Sequence, residues 1–245
     1  MHNGKEVFVR KILLTNDDGI NADGIVRLAE IASEFGEVWV VAPDSERSAM
    51  SHSLTLRRRV EVWETAFPVP GVKAFACDGK PADCVRIGAL NIVPGRPDVV
   101  MTGINYGYNV AADLQYSATV GAALEASFQK LHAIAFSEAN NGVHEITDKY
   151  IRDIMAELID RPLGEWQIWN VNFPGCPISE CKGILREAEV SRDGFYDDRY
   201  SVEEVSEGRK RYMVDGIRRW EAREGTDLWA MINHYISVGI VNNLS

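Results

Sequence analysis

KILLTNDDGI, residues 11–20, runs an apolar stretch straight into three oxygen-bearing side chains, Asn16, Asp17 and Asp18, and then a glycine. Ile12, Leu13 and Leu14 follow one another without alternation, as in a strand covered on both faces. Adjacent carboxylates repel each other and lose solvation when a chain folds over them. The pair therefore needs a reason for standing there. In an open parallel sheet, ligands bind beyond the carboxyl ends of the strands, which is where this pair falls.

The chain continues as alternating strands and helices. GIVRLAEIASEF, from Gly24, sets Ile25, Leu28, Ile31, Ala32 and Phe35 at helical spacing, with Gly36 as the expected C-cap. EVWVVAP is a buried strand stopped by Pro43. From Ser53 to Ala76 the pattern alternates, as in a half-exposed hairpin, with Arg57, Arg58 and Arg59 at a solvated edge or turn. KPADCVRIGALNIV opens a helix with Pro81 in its first turn. RPDVVMTG, AIAFSE and WQIWNVNFP are further strands; SATVGAALEASFQK and DKYIRDIMAELID are helices. The expectation is an α/β fold, a mostly parallel sheet with helices on both faces, over residues 1–177. After Pro177 two long charged strands, over 183–205 and 209–222, predict a C-terminal extension, 178–245, with an exposed hairpin that pairs with another subunit or lies over a neighbouring surface. Thr226 marks the start of a last helix, followed by a strand.

Composition excludes several classes. The 245 residues are 46% hydrophobic and 25% charged, ordinary for a globular chain. A net charge of −10 argues against binding a nucleic-acid polymer or an anionic membrane. No stretch of about 18 apolar residues exists to span a bilayer, and the opening MHNGKEVFVRK has no signal-peptide core. Cys77, Cys84, Cys176 and Cys181 form no C-x-x-C pair and have no histidine at zinc spacing. A cytoplasmic protein with reduced thiols is expected.

The strand-end rule gathers three polar clusters on one rim. The first is Asn16, Asp17 and Asp18; the second, in APDSERSAMSHS, is Asp44, Ser45, Arg47, Ser48 and Ser51; the third, in INYGYN, is Asn105 and Asn109. Two carboxylates among amide and hydroxyl oxygens suit one hard divalent cation, Mg2+ or Mn2+. Such a cation also removes the repulsion between Asp17 and Asp18. The bland reading makes one aspartate a helix cap and the other a turn residue. Ser117 and Thr119 stand at the mouth of a helix, where hydroxyls and amides favour anions, although plain N-capping explains either. His52 and His234 are candidate acids or structural histidines. No P-loop, dinucleotide fingerprint or nucleophile elbow is present.

ILLTNDDGI, VVAPDSERSAMSHSLT, GKPADCVRIG, PDVVMTGINYGYNVAADLQYSATVGAALEA and GTDLWAMINHYISV, in this order, resemble the successive motifs of the SurE family, the stationary-phase survival proteins. The resemblance runs from about Arg10 to near the C-terminus. It implies a Rossmann-like core with arms exchanged in a homodimer or homotetramer, and a metal-dependent 5′/3′-nucleotidase acting on nucleoside monophosphates, some members also trimming short polyphosphate. It implies Asp17, Asp18, Ser48 and Asn105 as metal ligands. Asp17 and Asp18 are then the catalytic pair, and Asn16, Gly103, Asn109, Ser117 and Thr119 the substrate contacts. Ala118 stands where the family often has glycine, and Lys80 where it often has a small polar residue. The first ten residues precede the usual family start and are expected to have no catalytic part. A non-catalytic switch resembling a receiver domain, or a metal-binding scaffold, is the alternative class. The strand end VVMTGINYG lacks the phospho-acceptor aspartate a receiver needs.

Overall fold

Strand β1 (Lys11–Thr15) lies near the middle of a nine-stranded sheet, and its neighbours explain why its apolar run is unbroken. The computed structural model describes residues 9–243; the leading residues expected to lack a catalytic part fall outside it up to residue 8. The chain runs β1, α1 (Asp23–Ala32), β2 (Glu37–Pro43), β3 (Val62–Thr65), β4 (Lys73–Cys77), α2 (Pro81–Ile87), β5 (Val99–Tyr106) and α3 (Ala118–Phe128). It continues as β6 (His132–Glu138), α4 (Glu145–Leu158), β7 (Gln167–Phe173), β8 (Ile184–Arg186), β9 (Tyr196–Asp197), β10 (Tyr200–Ser206) and β11 (Arg209–Val214). It ends with β12 (Ile217–Arg218), α5 (Asp227–Ile232) and β13 (Ile236–Asn242).

The sheet order is β3-β4-β2-β1-β5-β6-β7-β13-β8. Pairing is parallel from β4 through β2, β1, β5 and β6 to β7, and antiparallel where β3 meets β4 and β13 meets β7. Ile12 and Leu14 pack into the layer of α1 and α4, with Leu28 and Ile154, while Leu13 packs into the layer of α2 and α3, with Val85 and Ala123. Burial on both faces is the reason the strands are continuously apolar. The α/β expectation, with a mostly parallel sheet between helices and a C-terminal hairpin, holds.

Three expectations change in detail. Gly36 is not a left-handed cap: α1 ends at Ala32, and a Cβ at Gly36 would stand 2.3 Å from the Arg10 carbonyl oxygen. Close chain approach, rather than capping, calls for glycine there. The hairpin expected over Ser53–Ala76 contracts to β3 and β4, because residues 53–59 form no strand. β4 also pairs with β2, so Ala74, Ala76 and Cys77 are buried rather than half-exposed. The segment after Pro177 returns two strands, β8 and β13, to the main sheet. Only β9–β12 leave it, with β10 and β11 forming a wholly exposed antiparallel hairpin.

Candidate metal and phosphate site

The ends of β1 and β5, the loop after β2 and the first turn of α3 meet on one rim. The turn after β1 is locked by Asn16, whose Nδ2 donates to the Gly19 carbonyl at 2.8 Å and whose Oδ1 accepts from Gly19 N at 3.2 Å. Gly19 has φ +103°, a conformation glycine adopts without strain. The loop after β2 is drawn in by Arg47 N, which donates to the Asp17 carbonyl at 2.7 Å. β5 reaches the rim through an irregularity in its pairing with β6 between Thr102 and Asn105.

Thr119 is the hub. Its hydroxyl donates to Asp17 Oδ1 and lies 3.3 Å from Asn105 Oδ1. Asn105 Nδ2 donates to the Gly107 carbonyl at 2.8 Å, which leaves Oδ1 facing the Thr119 hydroxyl. Asp18 Oδ2 accepts from Tyr106 N at 3.3 Å. The Thr119 hydroxyl thus links Asp17 to Asn105, and the Tyr106 backbone amide holds Asp18.

Neither carboxylate has a protein cation: among the described residues no ion pair includes Asp17 or Asp18. Burial pushes the Asp17 carboxyl up to about 7; the Thr119 hydrogen bond opposes this, and the charges of Asp18 and Glu46 add to it. Burial also raises Asp18, with Glu46 adding, against the Tyr106 amide. A buried and a half-buried acid near the exposed Glu46, without a positive partner, are a site short of positive charge. The donors are carboxylate, amide and hydroxyl oxygens, the chemistry a magnesium or manganese ion prefers, so the residues fit such a cation. No cluster of three or more His, Cys, Asp or Glu side chains suited to a metal occurs among the described residues, so any ion here relies on neutral oxygens and water for its remaining ligands.

The expected site residues divide. Asp17, Asp18 and Asn105 come together. Ser48 is exposed in the neighbouring loop, its hydroxyl donating to Glu46 Oε1 at 2.9 Å. Asn16, expected to touch substrate, is wholly buried and spends its amide on the turn, because a tight turn needs its polar groups paired. Thr119 is likewise fully buried and contacts the acid and the amide rather than solvent. Ser117 is the N-cap of α3, its Oγ accepting from Val120 N at 3.0 Å. Gly103 has φ +120°, and a Cβ there would meet the Phe136 carbonyl at 2.2 Å, so its visible part is close packing of β5 on β6. Asn109 is buried: its Nδ2 donates to Ser137 Oγ at 2.8 Å, and its carbonyl accepts from Asn170 and Asn172. Ala118 is buried as well, so its Cβ does not line an open pocket.

Of the remaining candidates, His52 pairs with Glu125 at 2.9 Å, Lys80 donates to the Leu54 carbonyl at 3.2 Å, and His234 lies 3.4 Å from Glu180. Sequence reasoning missed Glu46, although it sits two places before Ser48 in the same motif. It also missed Glu138, buried at the end of β6, which pairs with Arg27 at 2.7 Å and His144 at 2.9 Å. The strand-end rule, applied to AIAFSE, would have found it.

The family model described as "Survival protein SurE" matches residues 12–194. A protein of Cytophaga hutchinsonii named 5′-nucleotidase SurE is 37% identical over 93% of this chain and 88% of its own length. One from Clostridium botulinum with the same name is 37% identical over 93% of this chain and 90% of its own. The crystal structure of the SurE protein from Aquifex aeolicus superposes with a TM-score of 0.81, at 34% identity, over 96% of this chain and 94% of the other. Sharing motifs, length and fold with these proteins, the chain belongs to the SurE family.

Proposed function

We propose that this chain is a metal-dependent nucleotidase that hydrolyses nucleoside 5′- and 3′-monophosphates, with short polyphosphate as a side substrate. The observation that carries the reading is the pair Asp17 and Asp18, of which Asp17 is tied through Thr119 to Asn105 and neither has an ion-pair partner among the described residues. Asp17, Asp18, Ser48 and Asn105 would hold a magnesium or manganese ion, which would supply Lewis-acid polarisation of the phosphoryl group and a more acidic attacking water. The chain's own residues do the rest. Thr119 fixes the orientation of Asp17, and the Tyr106 amide that of Asp18. Asp18, the less buried of the two, takes the proton of the attacking water. The first amides of α3, at Ala118 and Thr119, have no partner inside the helix and suit phosphate oxygens, while Ser117 caps the amide of Val120. Next to the rim, Arg47, Arg57, Arg58 and Lys80 line a groove of about 640 Å³, a place for the further phosphates of a longer substrate.

The nucleotide is the expected partner, together with further copies of this chain as a homodimer or homotetramer. No helix among the described residues is long and apolar enough to cross a membrane. The four cysteines are unpaired, which supports a cytoplasmic setting. The test is phosphate release from nucleoside 5′- and 3′-monophosphates with manganese, with magnesium and with EDTA. Release is expected with metal, is abolished by EDTA, and falls by at least about a hundredfold in Asp17→Asn and Asp18→Asn. Wild-type turnover in either variant overturns the assignment, and a folded protein with no turnover under any metal moves the reading to a binding switch or scaffold.

A further inference from the structure

Resting on the nucleotidase reading, we infer that the cavity beside Asp18 holds the nucleobase, with Tyr106 as its stacking surface and the residue that sets base preference. The cavity, about 330 Å³, is lined by Asp18, Asp23, Ile104, Tyr106, Glu138 and His144. It opens directly from the rim, because Asp18 belongs to both. Its volume exceeds that of a purine, roughly 110–130 Å³, and falls at the small end of ligand pockets.

Tyr106 is the unusual residue of this wall. It follows Asn105 at the end of β5, its amide is bonded to Asp18, and yet its side chain is 54% exposed. An aromatic ring left in solvent beside a catalytic rim gains nothing from the core. A base laid on it removes apolar surface from water on both partners. Ile104, fully buried, supplies an apolar floor behind it.

Charge decides which end of a nucleotide enters. The cavity carries the carboxylates of Asp23 and Glu138, which repel a phosphate. The cationic groove lined by Arg47 and Arg58 lies elsewhere. Glu138 is committed to Arg27 and His144, so it stiffens the wall, whereas Asp23 is exposed and, among the described residues, pairs with Arg27 alone, at 3.6 Å. A carboxylate there accepts from an amino or imino N–H on a base edge. Purines, with the larger stacking face, and amino-bearing purines in particular, are the bases this wall favours.

The experiment compares kcat/KM on AMP with kcat/KM on ribose 5-phosphate, which keeps the phosphate and sugar and lacks the base. It also measures adenosine binding by calorimetry without metal. Tyr106→Ala should lower the AMP to ribose 5-phosphate ratio roughly tenfold, mainly through KM, and weaken adenosine binding by about the same factor. Tyr106→Phe, which keeps the stacking ring, should retain both. An unchanged ratio in Tyr106→Ala, as when a second copy of the chain covers the ring, overturns the base assignment and leaves the nucleotidase intact. A wild type that hydrolyses neither ester overturns the nucleotidase reading itself.

Discussion

Thr119 shows how much a single hydroxyl can organise. Fully buried in the first turn of α3, it donates to Asp17 and approaches Asn105 Oδ1 at 3.3 Å, so it orients two expected metal ligands without being one. Groups that orient ligands typically govern metal affinity or activity by about 10–100-fold. Thr119→Val, which keeps the shape and removes the hydroxyl, is expected to weaken manganese binding by that factor in a calorimetric titration. Unchanged affinity would leave Thr119 a packing residue only. Asn16 and Ser117 teach the complementary lesson. Their residue types were legible as polar groups at a rim, but each is consumed by the backbone beside it, a turn in one case and a helix end in the other. Which hydrogen bond a side chain makes depends on the groups folding brings within about 3 Å, and spacing along the chain does not contain that distance.

At the scale of elements, α3 holds the site in register with the loop after β2. Gly121 lets that loop lie against the helix: a Cβ there would stand 2.6 Å from the Ser51 carbonyl. Ser51 N donates to the Tyr116 carbonyl at 3.1 Å, and one turn further along α3 the buried Glu125 takes His52 at 2.9 Å and Arg86 at 2.8 Å. Burial alone would raise the Glu125 carboxyl, but its hydrogen bonds with His52, Arg86 and Gln129 outweigh it and hold the group below its usual value near 4.5. A carboxyl depressed in the folded state contributes stability that is fully present above the unfolded value and is lost as pH falls through the folded one. Glu125→Gln is therefore expected to destabilise the protein by about 2 kcal/mol at pH 7. In urea unfolding the gap to wild type should close as pH is lowered beyond the usual carboxylate range. A gap independent of pH would mean the charge of Glu125 adds nothing.

For the whole molecule, the hairpin of β10 and β11 poses the main physical problem. Tyr200, Val202, Tyr212, Met213 and Val214 are each more than half exposed, and a two-stranded hairpin is marginal in water by itself. A second copy of the chain is the proposed cover. Replacing residues 199–215 by a short Gly-Ser linker should leave the nine-stranded sheet folded, since the hairpin adds no strand to it. Light scattering should then report a smaller assembly than wild type, whereas an unchanged mass would place the subunit contact elsewhere.

By itself the sequence determined the alternation of strands and helices in the parallel core, because burial on both faces of a parallel sheet writes itself as continuous apolar runs between helical periods. It also placed Asp17, Asp18 and Asn105 on a common rim, since the ends of parallel strands share one edge. Tertiary structure alone decided that β8 and β13 complete the sheet, that Thr119 serves the carboxylates, and that Glu46 and Glu138 stand near them. Those outcomes rest on contacts between segments more than a hundred residues apart in the case of Thr119 with Asp17. Such contacts are set by how the layers pack, and no local period in the chain records them.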